Sequence, residues 1–164
     1  MKKNILPAII FLSLAVGLAG FIVYRTMHAI SYEDAFESTT DAVCTGFSRS
    51  RYEDRDYVMS TYARYNPQMT VVLNNYRRAK AASNAFDERT IYGIGIVPEG
   101  GYIQNFGHQM RVYFIHDHTG IYYCCGIVGD KLVFGMKSDD GNYFSRLFTD
   151  ISDYYSAFCV NNGI

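Results

Sequence analysis

The stretch Gln109–Lys137, QMRVYFIHDHTGIYYCCGIVGDKLVFGMK, decides the fold. Its apolar residues alternate with polar ones over short runs, and each run ends in a turn. Gln109 to His116 reads as a strand with Met110, Val112, Phe114 and His116 on one face, because neighbouring side chains on a strand point to opposite sides. Asp117-His118-Thr119-Gly120 is a turn closed by the glycine that turn chemistry favours. Ile121 to Val128 follows as a strand with Ile121, Tyr123, Cys125 and Ile127 on one face, and Gly129-Asp130 turns the chain into a strand from Lys131 to Lys137. Connections this short join antiparallel neighbours, so the segment is a meander.

Toward the amino terminus, Thr90 to Val97 reads as a strand, Pro98-Glu99-Gly100-Gly101 as a turn and Tyr102 to Phe106 as the next strand, with Gly107 marking a bulge or bend. Further back the period becomes helical. Ser31 followed by Asp34 resembles a capping box that opens a helix through Phe47, with Tyr32, Phe36, Val43 and Phe47 along one face. After the polar break Ser48-Arg49-Ser50-Arg51, a short helix is expected over Tyr52–Tyr65. Asn66-Pro67 then starts a third helix that runs to Phe86, burying Met69, Val72, Leu73 and Tyr76 and exposing Arg77, Arg78 and Lys80. On the carboxyl side, Ser138-Asp139-Asp140-Gly141 ends the sheet. A last helix over Asn142–Cys159 carries Phe144, Leu147, Phe148, Ile151, Tyr155 and Phe158 at helical spacing, and Asn161-Asn162-Gly163 stops it.

Lys2 and Lys3 precede a run from Ile5 to Tyr24 that carries no charge. As a helix this run is about 30 Å long, enough to cross a bilayer core. Ala15-Val16-Gly17 offers a signal-peptidase site, but Leu18, Ala19, Phe21, Ile22, Val23 and Tyr24 carry the apolar run past it, which favours a retained signal anchor. Tyr24 and Arg25 close it as an interfacial aromatic and a snorkelling cation. The expectation is a single-pass protein with a transmembrane helix in residues 1–28, a cytoplasmic amino terminus and a periplasmic or extracellular domain over 29–164. The expected fold class is α+β: after the transmembrane helix, helices pack on an antiparallel meander sheet of about four strands, with a helix at the carboxyl end.

The charges nearly cancel, with 15 Lys+Arg against 16 Asp+Glu, so no global field or basic tail draws the chain to nucleic acid. Tyr 15 and Phe 11 against Trp 0 suit a half-wet sheet or an interaction surface. The four cysteines, Cys44, Cys124, Cys125 and Cys159, fit no paired zinc-knuckle spacing. In an oxidising compartment they are disulfide candidates. A bridge between Cys124 and Cys125 is disfavoured because strand neighbours face apart, which leaves Cys44 and Cys159 each to find a strand cysteine or to pair together, with Cys125 the inward strand residue.

Other chemistry is sparse. His116 and His118 project to one side of a strand and His108 offers a third nitrogen, so a membrane-tethered metal-dependent enzyme is the rival reading; three or more ligands are needed for such a site. There is no Gly-x-Ser-x-Gly elbow, phosphate loop, His-Glu-x-x-His helix or dinucleotide fingerprint, and no cofactor is implied. The order of parts resembles type IV pilins and pseudopilins, although Arg25 stands where their early glutamate would be after a Gly20-Phe21 junction. It also resembles inner-membrane secretion subunits that place helices before a curved antiparallel sheet. Either resemblance implies a pilin-like or secretion-apparatus subunit. The main expectation is broader: a non-enzymatic, membrane-anchored interaction or assembly module of a cell-envelope complex, partnered by the lipid bilayer and by other envelope proteins or itself. With helices on one sheet face, Arg111, Tyr113, Ile115, Tyr122 and Cys124 are expected on the other as the contact surface.

Overall fold

The computed structural model describes residues 29–164, so the expected membrane helix in residues 1–28 lies outside the described residues. Among the described residues, no helix is long and apolar enough to cross a membrane. The elements in chain order are α1 (Tyr32–Val43), β1 (Ser48–Glu53), β2 (Tyr57–Tyr65), β3 (Gln68–Tyr76), α2 (Ala79–Asp87), β4 (Thr90–Ile91), β5 (Gly95–Ile96), β6 (Tyr102–Phe106), β7 (Met110–His116), β8 (Tyr122–Val128), β9 (Leu132–Ser138) and α3 (Gly141–Asn162).

The architecture is α+β, built on a 7-stranded antiparallel sheet in the order β1-β2-β3-β9-β8-β7-β6. Two meanders meet at its centre. β1, β2 and β3 form one, and β6 to β9 form the other. The seam between them is β3 against β9, in register from Met69↔Ser138 to Asn75↔Leu132. Between the meanders, the chain carries α2 and the β4–β5 hairpin across one sheet face before entering at the far edge as β6.

The sheet therefore has more than the four strands expected, and the difference lies between Ser48 and Tyr76. The expected break at Ser48–Arg51 is an edge strand. The expected helix over Tyr52–Tyr65 is β2, and most of the next expected helix is β3. Asn66-Pro67, read as a helix start, is instead the two-residue turn between Tyr65 and Gln68, with a cis peptide bond. Only Ala79–Asp87 of that helix forms. The expected strand Thr90–Val97 is a small hairpin, and Gly107 opens a three-residue loop to Met110 where a bulge was expected.

The terminal helices start at their sequence signals, although α1 ends at Val43 and not at the expected Phe47. The Ser31 hydroxyl accepts from the Asp34 amide at 3.1 Å and starts α1. Asp140 caps α3 by accepting from the amides of Asn142 and Tyr143, both at 2.9 Å. Gly163, at φ +66°, ends it in the left-handed conformation.

Each sheet face has its own core. On the first face, α1 and α3 pack together over Met69, Val71, Leu73, Val112, Cys124 and Phe134. Phe36 of α1 lies 4.7 Å from the Phe134 ring and 5.2 Å from that of Tyr155. Phe134 fits there because its cross-strand partner is Gly126; a Cβ at Gly126 would stand 2.1 Å from the ring. On the second face, Ala82, Ala85 and Phe86 of α2, with Ile91 and Val97, cover Val72, Tyr76, Cys125, Ile127 and Val133.

Glu33 ties the first helix to the sheet. Its Oε1 accepts from the amides of Asp130 at 3.0 Å and Lys131 at 3.2 Å, in the turn between β8 and β9. Burial raises its pKa, but the hydrogen bonds from its own amide and those of Asp130 and Lys131 outweigh that and hold it below the usual carboxylate value.

Two expectations follow. Gly126→Ala forces the Phe134 ring out of a filled site and should lower unfolding free energy by about 1–3 kcal/mol in urea titration. Glu33→Ala should cost about 1–2 kcal/mol at neutral pH. Because the folded pKa lies below the unfolded one, that contribution is complete above about pH 4.3 and fades as pH falls through the folded value. The gap between wild type and Glu33→Ala should therefore narrow in acid, and a gap that does not change with pH would contradict the assignment.

Candidate functional site

The expected contact surface does not assemble. His116 pairs with Tyr122 and Phe114 with Cys124, so Tyr122 and Cys124 share the first face with Met110 and Val112. Arg111, Tyr113 and Ile115 lie on the second face, opposite Ile127, Cys125 and Tyr123. Ile115 is buried there, Tyr113 packs 5.0 Å from the Phe86 ring, and the Arg111 guanidinium sits 5.1 Å over that same ring. Tyr122 is half-buried against His116 at 4.2 Å and Phe144 at 6.1 Å. Both faces are roofed, and the five residues belong to two different layers.

The disulfide expectation is also corrected. Cys44, Cys124, Cys125 and Cys159 are all free and buried. Cys44, Cys124 and Cys159 belong to the first core, whereas Cys125 belongs to the second, the reverse of the expected assignment of the strand pair. Burial and the Asp41 charge push the Cys44 thiol up to about 12. Burial pushes Cys125 up to about 12 against the opposing pull of Arg89, and raises Cys124 as well. Such thiols are poor nucleophiles.

The histidines do not converge. His108 sits in the loop between β6 and β7 at φ +54°, where the Tyr155 hydroxyl donates to its carbonyl at 2.7 Å. His116 is at the other end of β7, about 20 Å away along a strand of this length. Asp117, between His116 and His118, accepts from the Thr119 amide and hydroxyl and the Ile121 amide, as a turn residue does. Among the described residues, no group of three or more His, Cys, Asp or Glu is placed to hold a metal. Arg77 and Arg78 pair with Glu53 at 2.9 Å and Asp56 at 2.8 Å.

Two other features stand out. The first is the contrast between the sheet edges. β1 presents Arg49 and Arg51 to Glu37 and Asp41 of α1, so its edge is laced with charge. β6, Tyr-Ile-Gln-Asn-Phe, has no charge at all, and Tyr102 and Ile103 are 62% and 49% exposed. Tyr102 and Phe106 pack against Phe114 on the first face, tilted at 5.5 Å and edge-on at 5.9 Å.

The second is an open cleft of about 480 Å³ on the second face, between α2 and the ends of β2 and β3. Tyr57 and Tyr92 stack in its wall at 4.5 Å with rings parallel within 1°. Tyr76 lies 5.8 Å from Tyr57 and 6.5 Å from Tyr92. Asp54, Asp56 and Glu88 line the cleft with Arg78, which is paired to Asp56. Burial, then the charge of Asp54, raises the Tyr57 phenol. The sequence concealed this site because its tyrosines come from two strand ends and a hairpin turn; the only advance signal was the abundance of tyrosine.

Thiol titration checks the buried cysteines. Native protein should react negligibly with an aromatic disulfide reagent, and denatured protein should yield all four thiols with or without prior reduction. Two thiols in the unreduced denatured sample would restore a disulfide. Compared with known proteins, the chain matches no family model, no curated protein and no solved structure.

Proposed function

We propose that the chain is a non-enzymatic assembly module, tethered to a membrane by the uncharged Ile5–Tyr24 segment with its α+β domain outside the cytoplasm, and that it acts by pairing with a second copy of itself through β6. The location rests on the charge pattern of residues 1–28 and not on the cysteines, which are free. The observation that carries the pairing is the uncharged, exposed edge of β6 on a sheet whose other edge is guarded by ion pairs.

The β6 sequence suits antiparallel pairing with itself. A twofold axis through Gln104 sets Tyr102 against Phe106 of the second copy and Ile103 against Asn105. Aromatic cross-strand pairs stabilise such a joint by about 0.2–1 kcal/mol each, and no like charges oppose each other. The two sheets would then run as one.

Tests address the two parts separately. A reporter fused after Ile164 should be active only outside the cytoplasm, and activity inside would overturn the location. For the contact, Gln104→Cys in the full chain should form a dimer cross-link across the axis under mild oxidation. Gln104→Lys, which sets like charges together, should leave the fold intact and shift the protein from dimer to monomer in sedimentation. A wild-type chain that is monomeric throughout and a Cys variant that never cross-links would reject self-pairing.

A further inference from the structure

We propose that the tyrosine cleft binds a small aliphatic ammonium compound, of the di- or polyamine class, through its protonated amine. Two independent features of the cleft point to the charge and the hydrogen-bonding character of that ligand. The site lies on the second face by the β1–β2 turn and α2, and it goes beyond the self-pairing reading, which concerns β6.

Charge comes first. Asp54, Asp56 and Glu88 line the cleft, and Arg78 neutralises only Asp56, at 2.8 Å. Among the described residues, neither Asp54 nor Glu88 has a cationic partner. Asp54 is held in place by hydrogen bonds from the Asp56 amide and the Tyr52 hydroxyl, both at 3.3 Å. The cleft therefore favours a cation and disfavours phosphate or carboxylate ligands. Tyr57, Tyr76 and Tyr92 add the negative faces of their rings, which attract a cation within about 6 Å of the ring centre and pack an alkyl chain equally well.

Hydrogen bonding narrows the class. Tyr76, 5% exposed, lines the cleft, yet its hydroxyl has no partner among the described residues. Burial raises its pKa, so it stays a neutral phenol that can accept from a donor. Two residues earlier on the same face of β3, Asn74 is fully buried and its Oδ1 is likewise unpaired. The Asn74 Nδ2 donates to the Tyr92 carbonyl at 3.3 Å, which assigns the amide so that the orphan atom is the acceptor. Buried polar atoms without partners are costly, and of these two residues Tyr76 is the one that lines the cleft. A primary ammonium carries donors to meet the Tyr76 hydroxyl, whereas a quaternary ammonium carries none. A divalent metal ion would want six or more oxygen ligands, and phenol faces do not supply them.

Calorimetric titration of the full chain in detergent tests this with putrescine as the probe, against tetramethylammonium and magnesium chloride as cations of other character. Putrescine should bind saturably at one site, at least about tenfold more tightly than either control. Tyr76→Phe should weaken putrescine binding about tenfold while leaving the thermal midpoint unchanged or higher, because it deletes an unpartnered hydroxyl. The double change Asp54→Asn with Glu88→Gln, at a half-buried and an exposed position, should abolish binding and preserve the fold. Absent saturable binding, equal affinity for magnesium or tetramethylammonium, or undiminished binding by a folded Tyr76→Phe would each overturn the proposal.

Discussion

Everything in this domain depends on a sheet covered on both faces at its centre. β3 and β9 are the strands that join the two meanders, and helices or loops roof them above and below. Such a strand cannot alternate apolar with polar; it must be apolar on every side chain, or supply small residues where a neighbour presses in. β9, Leu-Val-Phe-Gly-Met-Lys-Ser, meets that demand: its glycine admits Ile91 and Ile94 from the second face, and Phe134 beside it fills the first. β3 meets it with Met69, Val71, Val72 and Leu73, and then places Asn74 in the same buried row, where half of its amide is satisfied by the Tyr92 carbonyl.

That constraint explains which parts of the fold were legible in the sequence. β7 and β8 read correctly as strands because the turn at Asp117–Gly120 is unambiguous, and α3 because Phe144, Leu147, Phe148, Ile151 and Tyr155 make a single stripe. β3 did not. Met69, Val72, Leu73 and Tyr76 stand at the spacing of a helix face, yet they arise from a strand buried on both sides, and periodicity alone does not separate those cases. Asn66-Pro67 compounded the error, since the same dipeptide serves a helix start and a tight hairpin. Face assignments across β7 and β8 failed for another reason. Each strand was read in its own phase, and the register that places Cys124 opposite Phe114 is a property of the pair.

The two roofs differ in kind. On the first face, α1 and α3 pack on one another and on the sheet, with aromatic contacts among Phe36, Phe134 and Tyr155. On the second, the cover is one short helix and a two-residue-stranded hairpin, so it stops short of the β1–β2 end and leaves tyrosines and carboxylates facing an open cleft. A thick roof on one side and a thin roof on the other, each over its own core, is a division that small domains with one continuous core do not have. The candidate site was illegible in the sequence because Asp54, Tyr76, Glu88 and Tyr92 meet only once the chain has crossed the second face.

The route from β3 to β6 also governs how the chain comes to be folded. As synthesis proceeds from the amino terminus, β1, β2 and β3 emerge first and can pair at once, but the inner edge of β3 has no partner until Leu132–Ser138 has been made. Until then the most apolar strand of the first meander is an open template. The closing contact is non-local and enters the middle of the sheet, the kind of step that slows folding and prolongs exposure of a sticky edge. The nascent chain is thus most vulnerable to pairing with its neighbours in the interval before β9 arrives to claim the central position.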